Sequence, residues 1–155
     1  MGVMMTGVSL ANANPPEHQL RIGMCSTTRL TGKIVDCQLF PTSYMEYANR
    51  RFSLGFNSFF LVTNSLHANY FLLDAGNFRP SIGLSQKYAI DIGGSSSIAD
   101  WSMLHVAGDY QTERFTFRLS IGKLVARSGE WHLTPKLESM VLTLYAMYNI
   151  PLSKN

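Results

Sequence analysis

Two cysteines, Cys25 and Cys37, are the first residues of this chain whose spacing constrains their chemistry. Residues 19–25 and 33–40 read as strands, with Thr27, Thr28, Thr31 and Gly32 between them as turn formers. A turn centred near Thr31 sets the two thiols opposite one another, where a cross-strand disulfide can close in an oxidising compartment. In a reducing one they act as small buried hydrophobes. A second constellation is basic. Arg114, Arg118, Lys123 and Arg127 lie along a strand-like stretch, with Tyr110 and Trp131 near in sequence as stacking surfaces. Such a stripe suits single-stranded nucleic acid. An ordinary solvated strand face accounts for the same residues.

Other chemistry lacks the required partners. His18, His67, His105 and His132 are scattered, whereas zinc takes three or four ligands at close spacing, so each reads as a lone surface histidine. The run Gly93-Gly94-Ser95-Ser96-Ser97 has neither the Gly-x-Ser-x-Gly elbow of a nucleophile nor the lysine and helix of a phosphate loop, and reads as a flexible loop. Residues 58–64 followed by Tyr70 to Gly76, ending in Asp74-Ala75-Gly76, resemble the opening hairpin of metallo-β-lactamase-fold hydrolases. That resemblance implies a zinc-binding His-x-His-x-Asp-His cluster downstream. Nothing after Gly76 supplies it, so the family is rejected and Asp74-Ala75-Gly76 reads as turn chemistry at a strand end. No cofactor, metal site or catalytic motif is expected, and the reading leans away from an enzyme.

The elements that must position these residues follow from composition and periodicity. With 155 residues, 46% hydrophobic and only 15% charged, one core is expected, and Ser, Thr, Asn and Gly must cover much of the surface. A net charge of +3 is too small to argue for nucleic acid by itself, although the basic excess concentrates in residues 114–155. The start, Met1 to Leu10, is apolar and leads to Ala11-Asn12-Ala13, a small-x-small pattern like a signal cleavage site, but without a preceding Lys or Arg. Residues 1–18 are therefore expected to form a flexible tail or a degenerate signal-like segment. Export to a periplasm or beyond goes with the signal reading, and a cytoplasmic location with the other. No run approaches the ~18 apolar residues of a membrane-crossing helix, so no transmembrane segment is expected and the chain reads as soluble, or at most anchored.

Residues 19–155 read as a single strand-rich domain. After the 19–25 and 33–40 hairpin, 43–51 suits a short helical turn and 52–56 a half-buried strand. A buried hairpin is expected over 58–63 and 69–74, with 64–67 interrupting it. Residues 77–80 read as a loop, and 87–92 and 101–107 as short strands. The clearest strand is 114–121, with Phe115, Phe117, Leu119 and Ile121 expected inward and Arg114, Thr116, Arg118 and Ser120 outward. Gly122 ends that pattern before 123–127 resumes it. The final element is predicted as an amphipathic helix over 135–149. Thr134 is its N-cap, Pro135 its first position, Glu138 lies near its N-terminal dipole, and Leu137, Met140, Val141, Leu144, Tyr145 and Tyr148 form its stripe.

The expected fold is thus α+β but mainly β: an antiparallel sheet, sandwich or partly closed barrel with a C-terminal amphipathic helix. The leading function is a non-enzymatic binding or assembly protein that contacts a protein partner, or itself, through a sheet edge or the helix. Met147, Tyr148, Ile150 and Leu152 are the candidate partner contacts. Nine Phe, seven Tyr and eight Met suggest a barrel enclosing a small apolar ligand as the alternative. A single-stranded nucleic-acid binder using Arg114, Arg118, Lys123 and Arg127 is the third reading.

Overall fold

Alternating side chains carry this chain almost from end to end, and the computed structural model turns that alternation into a closed wall. It describes residues 17–30, 38–59, 63–73, 76–90, 98–128 and 139–152. These form strands β1 (His18–Arg29), β2 (Gln38–Asn49), β3 (Phe52–Phe59), β4 (Thr63–Phe71), β5 (Phe78–Ile90), β6 (Ile98–Gln111), β7 (Phe115–Ser128) and β8 (Met140–Pro151). Every strand pairs antiparallel with its neighbours in sequence, and β8 returns to pair with β1 from Pro151 opposite Gln19 to Val141 opposite Arg29. The sheet therefore closes into a barrel without an edge for another chain to extend.

Closure assigns each residue to the lumen or the outside, because successive side chains in a strand point to opposite faces. In β7, Thr116, Arg118, Ser120, Gly122 and Leu124 face inward while Phe115, Phe117, Leu119, Ile121 and Lys123 face outward. In β8, Val141, Thr143, Tyr145, Met147 and Asn149 are inward. The assignment is inverted relative to a water-soluble domain. Buried positions are mostly polar or charged, and every strand contributes an exposed apolar side chain: Ile22, Met45, Leu54, Leu66, Leu84, Val106, Leu119 and Leu144 in order from β1 to β8.

The two ends of the barrel differ. At one end the strands are joined through 50–51, 72–77 and 112–114, and both described termini, near His18 and Leu152, lie there. Side-chain hydrogen bonds set these turns: Asn49 Oδ1 accepts from the backbone N–H of Arg51 and Phe52, each at 2.8 Å, and Thr112 Oγ1 accepts from that of Phe115 at 3.0 Å. Gly76, with φ of 63°, supplies the left-handed residue between β4 and β5. The opposite end is joined through 30–37, 60–62, 91–97 and 129–139, most of which are longer.

The architecture corrects the expected α+β fold with a C-terminal helix: the described residues are all-β, and Met140–Pro151 is a strand. Residues 135–138 lie outside the described residues. The stripe through Met140, Leu144 and Tyr148 does recur at helical spacing, but the same residues also fall on one side of a period of two. With Val141, Tyr145 and Met147 apolar on the other side, the pattern fits both elements. What decides is the backbone, since β8 hydrogen-bonds to both β1 and β7 and so completes the barrel. The helical turn expected over 43–51 is likewise strand β2 as far as Asn49. The loop at 77–80 belongs largely to β5, and 64–67 lies inside β4 rather than interrupting it. Gly122 does not end β7, whose register instead shifts where Ser102 and Met103 face Ala126 and Leu124.

Small inward residues make room for large polar ones. A Cβ placed on Gly55 would run into the ring and hydroxyl of Tyr44, which is buried and donates its hydroxyl to Glu46. The expected outcome of Gly55→Val is a loss of about 1–3 kcal/mol by overpacking. Urea unfolding of the full chain measures it, and an unchanged midpoint would place Tyr44 elsewhere.

Candidate functional site: the polar lumen

Four charges dominate the lumen, and the strand register brings them there as two ready-made pairs. Arg21 of β1 stands directly opposite Glu46 of β2, and Asp109 of β6 directly opposite Arg118 of β7. The two pairs face each other across the barrel. Arg21 Nη1 donates to Glu46 Oε1 at 2.9 Å and to Asp109 Oδ2 at 2.7 Å. Arg118 donates through Nε to Asp109 Oδ1 at 2.6 Å and through Nη1 to Glu46 Oε2 at 2.5 Å. Its Nη2 reaches both carboxylates, at 3.1 Å and 2.9 Å. Positive and negative groups thus alternate around a ring of no net charge, with each of the four side chains at most 2% exposed.

Burying ions is costly unless every charge is paired and hydrogen-bonded. Here each carboxylate accepts from both guanidinium groups, Glu46 also accepts from the Tyr44 hydroxyl at 2.7 Å, and Arg21 Nη2 donates to Gln111 Oε1 at 3.2 Å. The planar arginine fork presents several N–H donors in fixed directions, so that each arginine holds both carboxylates.

On the short-turn side of the ring, the Arg79 guanidinium lies over the Phe71 ring at 3.9 Å from its centroid, and that of Arg21 lies 5.9 Å from the same centroid. Arg79 Nη2 also donates to the backbone carbonyls of Asn49 at 2.9 Å and Arg50 at 2.7 Å, tying β5 to the β2–β3 turn. On the other side, Tyr44 packs edge-on against Tyr145 at 4.8 Å and His67 at 5.7 Å. A chain of polar contacts follows: His67 Nε2 to Ser65 at 2.7 Å, Ser65 to Asn57, Asn57 to Cys25 Sγ at 3.2 Å, and Cys25 Sγ to Thr42 at 2.8 Å. His105 Nε2 meets Asn69 Oδ1 at 2.7 Å.

The structure redistributes the residues singled out in the sequence. Arg118 points into the lumen and Phe115, Phe117, Leu119 and Ile121 point out, the reverse of the expected orientation. Arg114 is exposed at the β6–β7 turn, Lys123 is exposed on the outer wall and Arg127 is exposed near the far end of β7, so no single basic face unites them. Tyr110 is on the outside, and Trp131 lies outside the described residues. His67 and His105 are buried in the lumen rather than on the surface, and His18 contacts the Tyr47 hydroxyl at 2.6 Å; His132 is not among the described residues. Cys25 is a buried free thiol whose cross-strand partner is Thr42, and Cys37 falls outside the described residues. The proposed helical contacts separate: Met147 is inward and buried, Tyr148 and Leu152 are exposed, and Ile150 is intermediate.

Arg21, Glu46 and Asp109 did not stand out in the sequence as a site. Their signal is an isolated charge at a strand position where its i±2 neighbours are also polar or small, a pattern that marks the polar face of the strand, which in this barrel is the lumen.

No protein-family model matches the chain, and no curated protein matches it. Among solved structures it is similar to the crystal structure of the N-terminal β-barrel domain of Pseudomonas aeruginosa OprF, with 16% identity and a TM-score of 0.51 over 85% of this chain and 97% of that one. At that identity the likeness concerns the fold, a closed β-barrel.

The ring can be tested as a unit. Glu46→Ala leaves two arginines facing one aspartate and should cost about 3–5 kcal/mol. Glu46→Met combined with Arg118→Met leaves the neutral Arg21–Asp109 pair. It should cost less than the sum of the two single changes by roughly 0.5–3 kcal/mol. Equilibrium unfolding of the parent, the two single methionine variants and the double variant gives the coupling, and strict additivity would mean that the two side chains do not share a network.

Proposed function

We propose that this chain is a membrane-spanning β-barrel of the outer-membrane type, closed along its axis by the charged ring, which acts by binding or assembly rather than by catalysis. One observation carries the reading: every strand presents exposed apolar side chains on the outer wall, while Arg21, Glu46, Arg79, Asp109 and Arg118 are buried inside. Water-soluble monomers rarely expose a contiguous apolar patch larger than a few hundred Å². A lipid-facing barrel requires an apolar exterior, because only its inside can solvate polar groups.

Three further features support it. Exposed cross-strand pairs Phe52–Tyr70, Phe78–Tyr110 and Phe115–Tyr148 surround the short-turn end, where an aromatic girdle at the membrane interface belongs. Toward the other end the outer face becomes polar, with Ser58 donating to Asn64 at 2.8 Å and Ser102 to Gln86. Short turns at one end and mostly longer connections at the other match the asymmetry of such barrels. The arrangement favours the export alternative for residues 1–18. The aromatic residues that suggested an enclosed apolar ligand are largely on the outer wall, so the lipid itself is their apolar environment.

Leu119→Arg places a charge on the outer wall between Phe117 and Ile121. In vesicles it should lower stability by about 2–4 kcal/mol, the cost of arginine near a bilayer midplane. Urea unfolding of the vesicle-inserted chain reads this out, with Arg51→Ala at the short-turn end as the near-neutral comparison. Equal stability of Leu119→Arg and the parent chain in vesicles would contradict a lipid-facing wall.

A further inference from the structure

The outer wall is not uniformly smooth. A groove of about 680 Å³ crosses it from β4 to β8, walled by Tyr70, Ile82, Leu104, Val106, Ile121 and Lys123. Its floor is backbone, because Gly83, His105 and Gly122 lie in one cross-strand row with their Cα atoms aligned and any side chain directed into the lumen. Among the described residues lining it, Lys123 is the one lysine or arginine. Leu104 and Met140 are its direct cross-strand neighbours, and the polar Gln86–Ser102 contact lies one outward position further toward the same end. The groove is therefore apolar along its length and cationic where the wall turns polar.

We infer that this groove is a binding site for an anionic phospholipid, with one acyl chain along the Ile82–Val106–Ile121 wall and the phosphate at the Lys123 ammonium. The inference deepens the membrane-spanning reading and rests on it. Charge complementarity selects the occupant: a lysine on a lipid-facing wall is tolerated where its stem covers apolar neighbours and its ammonium reaches the headgroup layer. A second outer groove, of about 580 Å³ around Met24, Phe117, Leu144 and Ala146, is of similar size and apolarity. Its one arginine, Arg118, is turned into the lumen, so it offers no cation to a headgroup. The two grooves make an internal comparison within one molecule.

The experiment inserts the full chain into vesicles of equal parts phosphatidylcholine and phosphatidylglycerol, then counts retained lipids by native mass spectrometry. Flotation with the vesicles and a gel mobility that changes on heating report insertion independently. The parent barrel should retain phosphatidylglycerol in preference to phosphatidylcholine, and Lys123→Gln should reduce that preference roughly fivefold, the worth of one basic residue at an anionic surface. Val106→Trp, which fills the groove and keeps the lysine, should also lose the retained lipid, whereas Ala146→Trp in the second groove should not. A barrel that inserts but shows no preference, or keeps it in Lys123→Gln or Val106→Trp, overturns the lipid site alone. A chain that fails to float with vesicles overturns the membrane reading and the site together.

Discussion

Two arginines and two carboxylates meeting in the middle of the barrel set the terms for the rest of this structure. Each pair is made locally, by register between adjacent strands, but the pairs neutralise one another only because β1–β2 and β6–β7 face across a closed lumen. If the β1–β8 seam opened, Arg21 and Asp109 would part, and each pair would lose the second set of hydrogen bonds that offsets its desolvation. Seam pairing and ring thus support each other.

The ring also explains the division of labour between the faces. Once the lumen accommodates the charges, with the aromatic and histidine side chains of Tyr44, Tyr145 and His67 beside them, the middle of the outer wall is free to be largely Leu, Ile, Val, Met and aromatic. Small inward residues such as Gly55 and Gly83 belong to the same solution, since they sit where Tyr44 and His105 need space. A barrel of eight strands is narrow enough to be filled by its own side chains.

Much of the strand content was legible in the alternation of 114–121 and 52–56 and in the apolar run of 101–107. Which face was inside was not. Alternation states only that Phe115, Phe117 and Leu119 share a side opposite Arg118, and in this barrel it is the Arg118 side that is buried. That one inversion moved Arg118 from a supposed binding face into the ring and hid His67 and His105. The C-terminal strand was missed for another reason: β8 is apolar on both sides, at Leu144 and Tyr148 outside and at Val141, Tyr145 and Met147 inside, so periods of 2 and 3.6 fit it equally. The ring itself was beyond local reading, because its cross-lumen links join residues 88 and 72 positions apart.

The central claim is that the outer wall touches hydrocarbon while the lumen does not. Methyl NMR of the vesicle- or nanodisc-inserted chain, with a nitroxide confined to the bilayer interior, addresses it residue by residue. The account predicts strong broadening of Leu54, Leu84, Leu119 and Leu144, with Leu124 and Val141, which face inward, much less affected. Equal broadening of both sets, or broadening of neither in a folded barrel, would contradict it.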